Sequence, residues 1–186
     1  MPPASPPQPE HTPERSARAP EQTIPWHQPS RTVVLYLADS SIWIGARRRH
    51  ATYLLELLAQ RMEADEIAIC TPVALEVLTG PATGDELDED WDTTWRHLQW
   101  LPVTDEVMER SLDLLHALAH TTAGAHRRRP IDYIVAACAE AADDDVVLWH
   151  WDLNLVAICD HARIPHEPEH ERARAHGINV EPGNPV

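Results

Sequence analysis

The chain has 186 residues, enough for one domain with length to spare, and a net charge of −15. No stretch approaches the roughly 20 apolar residues of a membrane span, and the acidity argues against general affinity for nucleic acid, which needs a positive surface. All 15 basic residues are arginine, and the three cysteines, Cys70, Cys138 and Cys159, form no C-x-x-C pair, so free buried thiols in a cytoplasmic protein are expected.

Residues 1–32 hold nine prolines and few apolar clusters, so they are expected to be a disordered extension. They lack the apolar central run of a signal peptide. The run Val33-Val34-Leu35-Tyr36-Leu37-Ala38 reads as a buried strand, ended by Asp39-Ser40-Ser41 at a helix start. Residues 51–64 place Tyr53, Leu54, Leu57, Leu58 and Met62 at helical spacing. Ile67–Cys70 is a second strand, followed by a helix with Thr71 as its cap and Pro72 in its first turn. That helix stops near Gly80-Pro81. Residues 82–92 carry six acids and read as a solvated loop or a frayed helix start; Trp91, Trp95 and Leu98 are spaced for one helical face. A long amphipathic helix spans 104–120, with Thr104 as cap and acids in the first turn. After a polar loop, Pro130 opens another helix. Val146–Trp149 is a third strand, Asp152 caps the helix LNLVAIC, and a last short strand is expected near 163–168. Residues 169–186 read as a flexible tail.

This alternation predicts a three-layer α/β/α fold with a central, mostly parallel sheet of four or five strands. In such sheets ligands bind at the carboxyl ends of the strands. Asp39 and Asp152 both follow strand ends, so they belong on one rim. Each also suits a helix cap, and Asp132 suits a first helical turn without any further role. Glu76 is different: five of the six residues in Val73-Ala74-Leu75-Glu76-Val77-Leu78 are apolar, which points its carboxylate inward or requires a solvated helix face. Four convergent carboxylates would repel one another and need a divalent cation, and a cation held by carboxylates points to phosphoryl chemistry.

Four segments carry a resemblance: Tyr36-Leu37-Ala38-Asp39-Ser40-Ser41-Ile42-Trp43, Thr71 to Gly80 (TPVALEVLTG), Arg129 to Ala137 (RPIDYIVAA) and Leu148-Trp149-His150-Trp151-Asp152-Leu153-Asn154-Leu155. The region 33–168 resembles a PIN-domain ribonuclease, most closely the VapC-type toxins of toxin–antitoxin pairs. The family often has a second acid two positions beyond the last one and an aromatic next; here those positions are Asn154 and Leu155. The resemblance implies a Mg²⁺- or Mn²⁺-dependent endoribonuclease that leaves 5′-phosphate and 3′-hydroxyl ends. It implies that Asp39, Glu76, Asp132 and Asp152 hold the metal, directly or through water. It also implies a homodimer and a cognate antitoxin that blocks the metal rim.

Around that centre, Ser41 could orient Asp39 or a phosphate, or be a plain helix-start hydroxyl. Asn154 could hold a water ligand or solvate its helix start. The triplet Arg127-Arg128-Arg129 lies just before Asp132 and is expected to hold the RNA backbone, since arginine forks suit phosphates. Arg47-Arg48-Arg49 is a second candidate. The histidines His161, His166, His170 and His176 match no zinc spacing, and His150 is expected to end its strand. A non-catalytic PIN-like binding module and a housekeeping RNA-processing PIN nuclease are the alternatives. A phosphotransfer enzyme with Asp39 as nucleophile would want Asp-x-Asp, and the chain has Asp39-Ser40-Ser41.

Overall fold

The computed structural model describes residues 34–47, 52–81, 83–121, 126–142 and 145–169. The extension 1–32 and the tail beyond 169 lie outside the described residues. Five strands form one sheet: β1 (Leu35–Ala38), β2 (Ile67–Cys70), β3 (Gln99–Leu101), β4 (Val146–His150) and β5 (His166–Pro168). Every pairing is parallel, in the order β3-β2-β1-β4-β5. The described residues also form seven α-helices: α1 (Ser40–Ala46), α2 (Thr52–Glu63), α3 (Thr71–Leu78), α4 (Gly84–Thr93), α5 (Asp105–Ala119), α6 (Pro130–Ala141) and α7 (Leu153–Ala162). All four residues of β2 are buried, although successive side chains point to opposite faces. Both faces of the sheet are therefore covered, as a three-layer α/β/α sandwich requires. Among the described residues no helix is long and apolar enough to cross a membrane.

The strand order fixes where a site can form. The chain proceeds from β1 through β2 to β3 on one side and then crosses back to β4 and β5 on the other. The switch lies between β1 and β4, which pair from Leu35↔Val146 to Ala38↔Trp149. Beyond the carboxyl ends of two strands at such a switch, the crossing helices diverge and leave a crevice. Asp39 follows β1 directly, and its backbone N–H donates to the Trp149 carbonyl at 2.9 Å.

The core is built from Leu37, Ile42, Leu54, Ile69, Leu148, Trp149 and Leu155, among others, each fully buried. Trp43 and Trp149 belong to it; Trp43 packs on Trp95 with ring centroids 4.7 Å apart. Gly45 lets α1 approach its neighbours, because a Cβ there would meet Leu54 Cδ2 at 3.0 Å. Arg61 was not anticipated as a core residue. It is buried, its guanidinium lies 3.5 Å from the Tyr36 ring centroid, and it donates to both oxygens of Glu167. A guanidinium is weakly hydrated and stacks on rings, which makes this burial tolerable.

Several local expectations are corrected. Thr71 is the first residue of α3 rather than its cap; Cys70 holds the cap position without a side-chain hydrogen bond. Residues 84–93 form a helix, started by the Thr83 side chain accepting from the Glu86 N–H, although α4 buries none of its residues. Trp91, Trp95 and Leu98 do not share a helical face, because α4 ends at Thr93 and Trp95 lies in a separate 3₁₀ turn. The strand β3 had no counterpart in the sequence reading: three residues with an exposed Gln99 carry no usable pattern. The expected last strand is present as β5. All three cysteines are buried free thiols.

Candidate active site

Three helix starts and one helix interior supply the acids. Asp39 caps α1: its Oδ2 accepts from the Ser41 N–H at 2.9 Å and from the Ser41 hydroxyl at 2.6 Å. Asp152 caps α7, its Oδ1 accepting from the Asn154 N–H at 2.7 Å. Asp132 lies in the first turn of α6 and is buried. Glu76 sits inside α3, half-buried, between the Ser40 hydroxyl, which donates to its Oε2 at 2.7 Å, and Arg129 Nη2, which donates to its Oε1 at 2.7 Å. Capping and convergence are thus not rivals. The caps hold the carboxylates of Asp39 and Asp152 at the strand ends, which is where the crevice opens.

Electrostatics binds the four into one group. Burial, and then the negative charges of Asp152 and Asp39, push the Asp132 carboxyl up to about 7; Arg129 opposes this and Glu76 adds to it. Asp39 is also raised, by burial first, with Glu76 adding and the Ser41 hydrogen bonds opposing. Asp132 therefore lies within reach of the fields of the other three acids, and Asp39 within reach of that of Glu76. Asp132 Oδ2 is buried and has no hydrogen-bond partner. A buried acceptor left in this way costs on the order of 1–3 kcal/mol, and a cation would relieve it. All four donors are hard oxygens, the set that suits magnesium or manganese.

The neighbours are more tightly placed than their sequence positions suggested. Ser41 is not a mere helix-start hydroxyl: it donates to Asp39 and accepts from the Trp151 N–H at 2.8 Å, tying the end of β1 to the segment between β4 and α7. Asn154 is held by Arg128, whose Nη1 donates to its Oδ1 at 2.7 Å. Of the arginine triplet, Arg129 bonds Glu76, Arg128 bonds Asn154, and Arg127 is exposed. Two of the triplet's three forks are thus engaged by Glu76 and Asn154. Arg47 pairs with Asp90 at 2.8 Å, whereas Arg48 and Arg49 lie outside the described residues. Ser40 was missed from sequence, since nothing in Asp39-Ser40-Ser41 shows that the middle residue reaches α3.

The PIN-domain family matches residues 36–157, most of the chain and all four acids. The chain belongs to the PIN-domain family. It is also 31% identical, over 130 residues, to Ribonuclease VapC18 of Mycobacterium tuberculosis, covering 65% of this chain and 85% of that protein. This is a VapC-type PIN domain, as its four sequence segments indicated. Among solved structures it is similar to the crystal structure of VapBC2 from Rickettsia felis bound to a DNA fragment from their promoter. The TM-score there is 0.56 at 16% identity, covering 72% of this chain and 98% of that one, so this likeness speaks to the fold alone.

Proposed function

We propose that this VapC-type PIN protein is a divalent-cation-dependent endoribonuclease, the toxin of a toxin–antitoxin pair. One observation supports the reading: burial and the charges of Asp152, Asp39 and Glu76 raise the Asp132 carboxyl to about 7, and Asp132 keeps a buried oxygen without a hydrogen-bond partner. Asp39, Glu76, Asp132 and Asp152 would hold Mg²⁺ or Mn²⁺, directly or through water. When bound, such a cation neutralises charge growing on the scissile phosphate and lowers the pKa of the attacking water.

The remaining work falls to the protein. Ser41 and Ser40 fix the orientations of Asp39 and Glu76, and the Asn154 N–H fixes Asp152. RNA phosphates would approach beside Arg127, Arg128 and Arg129, competing with Glu76 and Asn154 for the arginine forks. An anionic cluster also suits an antitoxin that inserts a basic side chain. A homodimer and a cytoplasmic setting complete the proposal; the three free buried thiols fit a reducing compartment.

The test mixes purified protein with cellular RNA, with and without Mn²⁺, beside Asp132→Asn. Cation-dependent cutting that falls at least ~100-fold in the variant is expected. Equal cutting by both proteins would overturn the assignment.

A further inference from the structure

A second donor cluster lies outside the acidic crevice, and the function proposed above does not use it. His150 ends β4, His166 opens β5 and Cys159 lies in α7. Their ligand atoms all lie within 4.8 Å of one another. His150 Nε2 and His166 Nδ1 are 3.1 Å apart, and their rings stack at 5.3 Å between centroids. Cys159 and His166 lie beyond residue 157, where the family match ends.

The geometry points to a transition-metal site of the zinc class at His150, Cys159 and His166, structural in role and distinct from the carboxylate centre. Two imidazoles and a thiol are borderline-to-soft donors, the set that selects zinc over magnesium. A nitrogen–nitrogen separation of 3.1 Å is near the ~3.3 Å edge of a tetrahedron with zinc–nitrogen bonds of about 2.0 Å. The orientation of His166 agrees: its Nε2 lies 3.1 Å from Asp160 Oδ1, so a proton held there leaves Nδ1 as a lone pair turned toward His150. A carboxylate behind a ligating histidine is the usual supporting arrangement in zinc sites. His150 and Cys159 are fully buried and His166 is half-buried, so the fourth position opens on the His166 side, to water. Binding would release the Cys159 thiol proton to solvent and form the metal–sulfur bond. The ion would pin α7 against β4 and β5, and α7 carries Asp152 at its start.

Cobalt(II) is the probe, because a thiolate ligand gives it a sulfur-to-metal charge-transfer absorption. The full-length, untagged chain is titrated as wild type, Asp132→Asn, Cys159→Ser and His166→Ala. One equivalent with the charge-transfer band is expected in wild type and in Asp132→Asn, and no band in Cys159→Ser. Zinc is expected to raise the melting midpoint of wild type by about 5–10 °C at saturation, and that of His166→Ala by far less. No band in wild type, a band undiminished in Cys159→Ser, or a band lost in Asp132→Asn would each overturn the site. If Cys159→Ser does not fold, His166→Ala decides, since its residue lies on the half-buried edge strand: an unchanged zinc-dependent rise in that variant refutes the proposal.

Discussion

Asp132 shows how one buried carboxylate links stability to activity. Its folded pKa, about 7, is above the usual aspartate value, so between roughly pH 4 and 7 the folded protein binds more protons than the unfolded chain. The stability of the cation-free protein should therefore fall as pH rises through that window and level off above it. Asp132→Asn should remove Asp132's share of the slope, leaving that of Asp39, and stabilise the cation-free protein at neutral pH by on the order of 1–3 kcal/mol, while losing cutting. Thermal melts in a chelator across pH 4–8 check this. Ser41 makes the opposite case. Its hydroxyl donates to Asp39 and accepts from the Trp151 N–H. Ser41→Ala should cost on the order of 1–2 kcal/mol, measured by urea unfolding, and should weaken Mn²⁺ binding because Asp39 loses its guide.

At the scale of elements, the acidic centre is a consequence of how helices begin. Two of its four carboxylates are N-caps and a third is in a first turn, positions that favour negative charge on their own account. The fourth, Glu76, is drawn into α3's inner face and steadied by Arg129 just before α6. Arg129→Ala should free Glu76, so cation affinity is expected to rise about 2–5-fold while RNA affinity and its salt dependence fall. Calorimetry and RNA binding at two ionic strengths separate the two effects. α4 stands at the other extreme. It buries none of its residues and rests on its Thr83 cap, its early acids and the Arg47–Asp90 pair. Its amides should exchange with solvent fastest among the seven helices, and those of α6, buried along most of its length, slowest.

For the whole molecule, charge is the governing quantity. The net charge of −15 falls mostly on residues 33–168, the region that also holds Asp39, Glu76, Asp132 and Asp152. Self-repulsion of that kind weakens the compact state and is relieved by counterions. Millimolar Mg²⁺ or Mn²⁺ should raise the melting midpoint of wild type by several degrees and shift Asp132→Asn much less, whereas monovalent salt should stabilise both alike. A differential scanning measurement with the two kinds of salt distinguishes site binding from general screening.

Period and punctuation alone determined the fold class, the buried strands and the candidate acids. Short β-branched runs mark strands, Pro and Thr mark helix starts, and Glu76 stands out because its neighbours are apolar. The three-residue β3 escaped, and residues 82–92 were left open between loop and helix start, because neither segment has a buried face to impose a pattern. Only the tertiary structure decided that Ser40 reaches Glu76, that two arginines of the triplet bond Glu76 and Asn154, and that His150, Cys159 and His166 meet. Those contacts join residues on different elements, and their partners are set by strand order and helix placement, which local sequence does not encode.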